Sequence, residues 1–396
     1  MNILYLGNFS FPYGNAAGSR VLGNGLLLRS LGHDVKFIGV KKKLNTKLSL
    51  DSTEKEYLNF KYYNFPYREG IRGRLNFNQF YKEIVDFIIK HNIEIVICYG
   101  SPTLSIFLYR LQKWCNVNKK KFIVDVVDLL PAVSGNILFK IIKSCDEFLL
   151  KKIISPKSDG IIAISSYLAD YYRVNVTKVV IIPPLVNSER YNDLKRINIT
   201  QSLYNIIYVG NPFPTDGRKV SKFNYKDRLD LIIEVLYELN DPKVVFNIYG
   251  LTKEMYLNIL PEHARIIELC KDNIIFNGPV SNELAIQKIS ESDFTILLRD
   301  INTMTKAGFP TKFVESISCG TPMITNLTSD LYLYIEDGIN GFVINSLELD
   351  SLVKNLRSIF STDKTKIDKM KKYSLQSQLF SYRNYQSQMN DFINKL

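Results

Sequence analysis

The sequence is poor in the residues on which metal and redox sites depend. Only three histidines occur in 396 residues, and the five cysteines, Cys98, Cys115, Cys145, Cys270 and Cys319, show no C-x-x-C spacing. Scattered cysteines in odd number are typical neither of a zinc site nor of a disulfide framework. We therefore expect a reduced, cytoplasmic protein without a structural metal.

Long apolar runs are also missing. The runs "IEIVICY" at 93–99 and "DGIIAIS" at 159–165 are far shorter than the roughly 18 residues of a membrane-spanning helix. Because the first residues already form a strand pattern, we expect neither a membrane span nor a signal peptide. The loop after that strand, "LGNFSFPYGNAAGS", does not fit G-x-G-x-x-G, which disfavours dinucleotide binding.

The sequence does contain a long alternation of apolar strand patterns with segments of helical spacing. Strands are predicted at 93–100, 121–128, 160–165 and 179–184, and, after a linker near 185–203, at 204–211, 243–250, 274–280 and 293–300. Such alternation predicts an α/β fold, with two Rossmann-like doubly wound parallel-sheet domains facing across a cleft that holds the ligand. We place these domains at 1–187 and 188–375, and expect a C-terminal helix in 376–396 to pack on the first domain.

The positive charge is confined to the first half of the chain. Residues 1–190 contain 27 Lys and Arg against 15 Asp and Glu, whereas residues 191–396 contain 24 of each. The basic clusters, as at Lys119, Lys120 and Lys121, would suit a lipid surface, a lipid-linked diphosphate or nucleic acid, or are solvated loops of a lysine-rich chain. The segment 137–153 has apolar residues at Ile137, Ile141, Cys145 and Phe148 with lysines between them. This pattern suits a helix packed on the sheet, which we favour, and also an interfacial membrane helix.

The segment "KAGFPTKFVESISCGTPMITN", 306–326, contains the clearest candidate for a binding site. Its turn, Gly308-Phe309-Pro310, leads directly into a helix that begins near Thr311 and Lys312. Free backbone amides and the helix dipole at such a start can hold a diphosphate. Glu315 lies on the same helix.

The order and spacing of several segments resemble family 4 of the GT-B glycosyltransferases. The resemblance runs along nearly the whole chain and includes "SDGIIAISSYLADYY", "VVIIPPLVN", "FNGPVSNELAIQKISESDFTILLR" and "AGFPTKFVESISCGTPMITN…YIEDGINGFVI". It implies a retaining enzyme that takes a sugar from a nucleotide diphosphate sugar. It also implies that Glu315 binds the ribose of this donor and that the turn at 308–312 binds the diphosphate.

The same resemblance implies roles for further residues in the second half. A basic pair is expected after the strand that ends at Gly210, and Lys226 in "KDRLD" is the best match. The alternatives Arg218, Lys219, Lys222 and Arg228 stay open, and Arg299 is a second candidate for contact with phosphate or sugar. The family carries two glutamates separated by seven residues, which places the first, a ligand of the donor sugar, at Ala307.

In the first half, the resemblance implies a loop beneath the donor phosphates and a carboxylate at the cleft. The loop contains Gly18 and Ser19, and the carboxylate is Asp128, which follows Val127 where family members often have histidine. Since none of the three histidines is a convincing base, catalysis would rest on positioning and electrostatic stabilisation, with the leaving phosphate taking the acceptor's proton. No D-x-D stands at a strand end, and a metal or other cofactor is not required.

These observations lead to a hexosyl- or N-acetylhexosaminyl-transferase with a glycan acceptor. We expect a growing, lipid-linked surface glycan such as capsule, O-antigen or a related polysaccharide, and no nucleic-acid partner. An anionic membrane surface is a further candidate partner, with the enzyme peripheral at the cytoplasmic face. A nucleotide-sugar epimerase and a degenerate, non-catalytic partner subunit are the alternatives.

Overall fold

The computed structural model describes residues 1–12, 15–42, 51–67, 76–99, 105–129, 137–174, 178–191, 194, 203–213 and 225–396. The chain forms two compact units. Unit 1 comprises Met1–Asn187, Ala307–Phe309 and Phe380–Leu396, and unit 2 comprises Ser188–Lys306 and Pro310–Leu379. The three residues of the turn at 307–309 thus belong to a different unit from the helix that follows them.

Unit 1 is built on a sheet whose strands in the described residues have the order β3-β4-β2-β1-β5-β6-β7-β8. All pairs are parallel except β3 with β4. The strands are β1 Asn2–Gly7, β2 Asp34–Lys42, β3 Asp51–Tyr57, β4 Phe60–Tyr67, β5 Ile95–Tyr99, β6 Lys121–Val126, β7 Gly160–Ala163 and β8 Val179–Ile181.

Unit 2 has a sheet that is parallel throughout, with the order β11-β10-β9-β12-β13-β14. Its strands are β9 Tyr204–Val209, β10 Val244–Tyr249, β11 Ile274–Gly278, β12 Phe294–Leu297, β13 Met323–Thr325 and β14 Gly341–Val343. This is the doubly wound order 3-2-1-4-5-6, and β4-β2-β1-β5-β6-β7 in unit 1 repeats it. The predicted fold class, two doubly wound parallel-sheet domains, is therefore confirmed.

Helices connect the strands in both units. In unit 1 they are α1 Ala16–Ser30, α2 Tyr81–Lys90, α3 Ser105–Val117, α4 Ile137–Leu149 and α5 Ser166–Arg173. Those of unit 2, apart from one residue of α10, are α6 Leu229–Leu239, α7 Lys253–Leu257, α8 Ala264–Leu269, α9 Asn282–Glu291, α10 Thr303–Ala307, α11 Thr311–Ser318, α12 Leu349–Ile359 and α13 Lys364–Ser377. The last helix, α14 Gln386–Asn394, returns to unit 1.

The strand pair β3 and β4 is a feature that the apolar patterns do not predict. The sequence of β3, "DSTEKEY", contains no apolar run, because it pairs antiparallel with β4 at the edge of the sheet. An edge strand contacts only one neighbour, and charged side chains there discourage pairing with other chains.

Helix α1 packs closely on the core of unit 1 through two glycines. A Cβ atom on Gly25 would lie 2.4 Å from Cζ of the buried Phe37, and one on Gly23 would lie 2.4 Å from the carbonyl oxygen of Leu185. No side chain fits at such distances, so glycine is required by close approach. The two glycines therefore have a packing role.

Helix α4 and the following π-helical turn, Leu150–Ile154, occupy the segment predicted as a lysine-studded helix. Among the α4 side chains whose burial is described, Asp146 is buried, and it accepts hydrogen bonds from the backbone and the hydroxyl of Ser105. Ile141 and Phe148, in contrast, are 54% and 59% exposed, and Cys145 is also exposed. The expectation of packing on the sheet was therefore wrong for Ile141, Cys145 and Phe148, whereas the side chain of Ile137 lies outside the described residues.

A buried ion pair ties α1 to the sheet of unit 1. The guanidinium of Arg20 donates to Asp125 at 2.6 Å and to the carbonyl oxygen of Ile182 at 2.8 Å, and both charged side chains are almost fully buried. The hydroxyl of Tyr5 donates to the same carboxylate and accepts from Asn24. One carboxylate thus joins β1, β6 and α1.

Replacement of this carboxylate should destabilise the fold. In Asp125→Asn the Arg20 charge stays buried without a counter-ion, so we expect a loss of about 3–5 kcal/mol in the free energy of unfolding. Urea unfolding followed by circular dichroism measures it. Asp170→Asn, which breaks the exposed pair with Arg173, is the control and should cost less than about 1 kcal/mol. Equal stability of the two variants would contradict this account.

Candidate anion-binding site

The candidate site in unit 2 lies at the carboxyl ends of β9 and β12 and at the start of α11. Gly210 directly follows β9, Arg299 comes two residues after β12, and Lys312 is the second residue of α11. In parallel α/β sheets ligands bind at this edge. The structure therefore brings together three residues that the sequence analysis had selected separately.

These residues are organised by Asp227, whose side chain is completely buried. Its carboxylate accepts hydrogen bonds from Arg299 Nε at 2.7 Å, Lys312 Nζ at 2.6 Å and the Tyr208 hydroxyl at 2.7 Å. Burial alone would raise the pKa of Asp227, but the two cations outweigh it and hold that pKa well below its usual range. Asp227 is therefore ionised, and the cluster of one carboxylate with two cations carries a net charge of +1.

Gly210 gives the Lys312 side chain the space it occupies. Gly210 has φ +127, and a Cβ atom there would lie 2.8 Å from Cε and 3.0 Å from Nζ of Lys312. The aliphatic part of the lysine thus crosses the end of β9, and its ammonium lies 5.0 Å from the centre of the Tyr208 ring. Glycine is favoured here because it adopts the positive φ angle without strain and has no Cβ atom to clash with the lysine.

The start of α11 supplies backbone donors next to this lysine. Pro310 occupies the N-cap position and has no side-chain capping bond, and its carbonyl oxygen accepts from the amide of Phe313 at 3.0 Å. Among the described residues, the amides of Thr311 and Lys312 have no hydrogen-bond acceptor. The predicted turn and helix start are thus present, and these amides with the helix dipole can receive an anion.

Glu315 lies one turn further along α11 and is half-buried. Burial raises its pKa above the ordinary 4.5, whereas the nearby charges of Lys312 and Arg190 act in the opposite direction. Within the described part of the chain its carboxylate has no hydrogen bond or ion pair. A partly desolvated acceptor of this kind is available to a ligand hydroxyl.

The other predicted cations of unit 2 have different surroundings. Lys226 is exposed, and its backbone amide donates to Pro212. Arg228 is bound to Asp230 at 3.0 Å and to Asp300 at 2.8 Å, and these carboxylates raise its pKa despite partial burial. Arg218, together with Lys219 and Lys222, lies outside the described residues. Of the predicted cations that the structure describes, Lys312 and Arg299 are thus the two that share Asp227 at this site.

In unit 1, Gly18 allows the loop after β1 to approach α1. A Cβ atom on Gly18 would lie 2.1 Å from the carbonyl oxygen of Ser10. The amide of Gly18 donates to the side chain of Asn15, the N-cap residue, at 2.9 Å. Ser19 follows in the first turn and is half-exposed. Asp128 is exposed and lies two residues beyond β6.

Ala307 occupies the position at which the resemblance places a sugar-binding glutamate. Its side chain is 0% exposed, and its carbonyl oxygen accepts a hydrogen bond from the Ser165 hydroxyl at 2.6 Å. A glutamate here would have to bury its carboxylate, which is costly without a partner. The alanine is therefore part of the packing, and the adjacent Gly308 and Phe309 belong to unit 1 with it.

The sequence analysis missed Asp227 and Tyr208, the two residues that join the cations. A signal for Tyr208 existed, because "IIYVGN" at 206–211 nearly repeats "ILYLGN" at 3–8, where Tyr5 binds the buried Asp125. Asp227 lies in the charged stretch "KDRLD", and nothing in that stretch shows that its first aspartate is fully buried. In the described ranges, no group of three or more His, Cys, Asp or Glu side chains could hold a metal ion.

Comparison with known proteins identifies the fold and one domain. Residues 219–377, which contain α11 and most of unit 2, match the family model described as glycosyl transferases group 1. The sequence matches no curated protein at a significant level. The chain has the GT-B fold, and its residues 219–377 are similar to the glycosyl transferases group 1 family.

Solved structures resemble the chain over its whole length. Sucrose-phosphate synthase from Thermosynechococcus elongatus has a TM-score of 0.71 at 14% identity, with 100% of this chain and 98% of that chain covered. HepE of Anabaena in complex with UDP has a TM-score of 0.68 at 14% identity, and the match covers 100% of both chains. A glycosyltransferase from Rickettsia africae has a TM-score of 0.68 at 16% identity, with 100% of this chain and 98% of that chain covered. Identities this low establish the GT-B fold alone.

The raised pKa of Glu315 leads to a test of the site. Because the folded pKa of this acid lies above its unfolded value, its ionisation costs stability, and this cost grows as the pH rises from about 4.5 through the folded pKa. Glu315→Gln should therefore be more stable than the parent protein at pH 7 and lose this advantage below pH ~4. Urea unfolding at several pH values measures the difference.

Glu268→Gln is the matched control on the surface of the same unit. Hydrogen bonds from Lys253 and Lys271 lower the pKa of Glu268, so its replacement should not stabilise the protein at pH 7. A Glu315→Gln protein less stable than the parent at pH 7 would show that the fold favours the charged carboxylate.

Proposed function

We propose that the protein is a retaining glycosyltransferase that transfers a hexose or N-acetylhexosamine from a nucleotide diphosphate sugar. The observation that carries this proposal is the convergence of Lys312, Arg299 and the start of α11 beside Gly210, with Glu315 one turn away. The cations and free amides suit a diphosphate, and the carboxylate suits the ribose hydroxyls. The complexes of Anabaena HepE with UDP and UDP-glucose support this class of donor.

The proposed reaction depends on charge stabilisation at the leaving group. As the bond between sugar and phosphate breaks, negative charge develops on the nucleoside diphosphate, and in this proposal Lys312 and the α11 amides stabilise it. The departing phosphate oxygen takes the acceptor's proton on the same face of the sugar, so that configuration is retained. This step needs no histidine base, and His263 is bound instead to Tyr256 at 2.9 Å and to Glu234 at 3.2 Å.

The donor sugar must be bound by other groups than a carboxylate at position 307. We propose that the amides of Gly308 and Phe309 or the side chain of the exposed Lys306 contact it. The buried Ala307 supports this view, because its position could not present a charged side chain to the sugar without repacking.

A screen of donors tests the proposed function. Nucleoside diphosphate sugars are ranked by their effect on the melting temperature, and products formed on lipid-linked acceptors are identified by mass spectrometry. Glu315→Ala should remove most of the transfer activity, on the order of a hundredfold or more, because a hydrogen-bonded ribose contact is lost. Glu268→Ala, an exposed carboxylate of the same unit, should retain full activity.

The alternatives predict different results in the same screen. An epimerase would turn the donor into an isomer without any acceptor, and a non-catalytic partner subunit would show no shift with any nucleotide sugar. Either result, or full transfer activity in Glu315→Ala, would overturn the proposal.

For the acceptor we propose a growing, lipid-linked surface glycan, such as a capsule or O-antigen, reached at the cytoplasmic face of a membrane. Within the described ranges, no helix of the protein is long and apolar enough to span a bilayer. The exposed Ile141, Cys145 and Phe148 of α4 and the exposed Lys152 just beyond it support peripheral docking on an anionic surface. The surplus of basic residues in the first half acts in the same direction.

Vesicle sedimentation tests this docking. The protein should sediment with phosphatidylglycerol vesicles at low salt, less at high salt, and not with phosphatidylcholine alone. Ile141→Ser/Phe148→Ser should bind at least about tenfold more weakly, because roughly 0.8 kcal/mol is lost per buried CH₂ group. Ile89→Ser, which alters a 60% exposed residue of α2, is the control. Absence of binding to anionic vesicles at low salt would remove the membrane from the proposal.

A further inference from the structure

The residue that unites the two cations of the site is Asp227. Its Oδ1 atom accepts from Arg299 Nε at 2.7 Å, and its Oδ2 atom accepts from Lys312 Nζ at 2.6 Å and from the Tyr208 hydroxyl. The donors come from the end of β12, the start of α11 and β9. Backbone hydrogen bonds fix the segment that holds Asp227. The amide of Lys226 donates to the carbonyl oxygen of Pro212, and the amide of Arg228 donates to that of Leu298. Asp227 is therefore held rigidly where three elements meet.

The bonds to Asp227 leave the cations able to bind a second anion. An ammonium has three N–H donors, and Lys312 gives one of them to Asp227. Its side chain is 18% exposed, compared with 6% for Arg299 and 0% for Asp227. The lysine is thus the member of the cluster that reaches the surface, while its position is set from the buried side.

Without this carboxylate, the lysine would keep only its weaker contact with the Tyr208 ring among the members of the cluster. Arg299 and Lys312 would repel each other, and the flexible lysine would turn towards water. A carboxylate that pairs with a lysine is a known means of placing the lysine on nucleotide phosphates, as in the Lys–Glu pair of protein kinases. The Asp227 carboxylate also repels a bound phosphate. Its positioning of the lysine outweighs this repulsion only if the ammonium binds carboxylate and phosphate at once, which its remaining N–H donors allow.

We propose that Asp227 is a positioning residue, which holds the Lys312 ammonium beside the α11 start so that the lysine binds a phosphate of the donor diphosphate. This inference rests on the function proposed above. Asp227 itself contacts no ligand, and it acts through Lys312. The Tyr208 hydroxyl donates a further hydrogen bond to the carboxylate and contributes no charge.

The test compares ligands with and without phosphates. Binding of UDP, ADP and GDP is measured by titration calorimetry, and binding of uridine, adenosine and guanosine by saturation-transfer NMR. Asp227→Asn should lose roughly tenfold or more in affinity for the preferred diphosphate, because a charge-assisted contact is lost, and should bind the parent nucleoside as before. Lys312→Met should show a similar loss. The double variant should bind no more weakly than Lys312→Met, since both changes act on one contact.

Asp125→Asn is the matched control. It breaks the equivalent buried cluster of unit 1, in which Tyr5 and Arg20 bind the carboxylate, and it should keep the parent affinity for the diphosphate. Should Asp227→Asn fail to fold, Arg299→Gln is compared with Arg299→Gln/Asp227→Asn. In that pair the fully buried arginine charge is absent, so that removal of the carboxylate leaves no buried guanidinium unpaired, and the second change should again weaken diphosphate binding.

Three results would overturn the inference. One is unchanged or tighter diphosphate binding by Asp227→Asn while the parent protein binds, which leaves the proposed function standing. Another is an equal loss for diphosphate and nucleoside, which indicates a general structural role. If the parent protein binds none of the diphosphates, the proposed function and the positioning role are both wrong.

Discussion

The structure depends on one interaction that occurs in both units, a buried carboxylate bound by a tyrosine and an arginine. In unit 1 it is Asp125 with Tyr5 and Arg20, and in unit 2 it is Asp227 with Tyr208 and Arg299. Each tyrosine lies two residues before the glycine at the end of the first strand of its unit, within the related sequences "ILYLGN" and "IIYVGN". A fully buried charge is tolerated only with such partners, so each cluster fixes the edge of its sheet at which loops and helix starts meet.

The two clusters differ in one charge, and this difference separates a structural site from a candidate binding site. In unit 1 the carboxylate and Arg20 neutralise each other. In unit 2 Lys312 is added, which leaves a surplus of +1 beside a helix start with free amides. A similar arrangement of strand, tyrosine and carboxylate therefore supports packing in one unit and the proposed anion-binding site in the other.

The sequence predicted the fold class and the helix that holds Lys312 and Glu315, because apolar periodicity and turn residues reflect local structure directly. It did not predict β3, whose single neighbour leaves no apolar pattern, nor the exposure of Ile141 and Phe148, since periodicity shows which residues share a face but not what covers that face. Asp227 could not be recognised either. Its burial results from β9, β12 and α11, whose residues are distant in sequence from it, and charged residues in a loop are normally solvated.

The division of the chain has a consequence for its assembly. Residues 380–396 lie in unit 1, where Phe392 contacts Gly160, Gln388 binds the carbonyl oxygen of Ile181, and Lys121 binds that of Leu396. Along the sequence, unit 2 therefore lies between two segments of unit 1, 1–187 and 380–396. The sheet of unit 1 is packed by residues 380–396 only after unit 2 has been synthesised. During translation the face of α1 that binds α14 therefore stays uncovered until residues 380–396 have been synthesised.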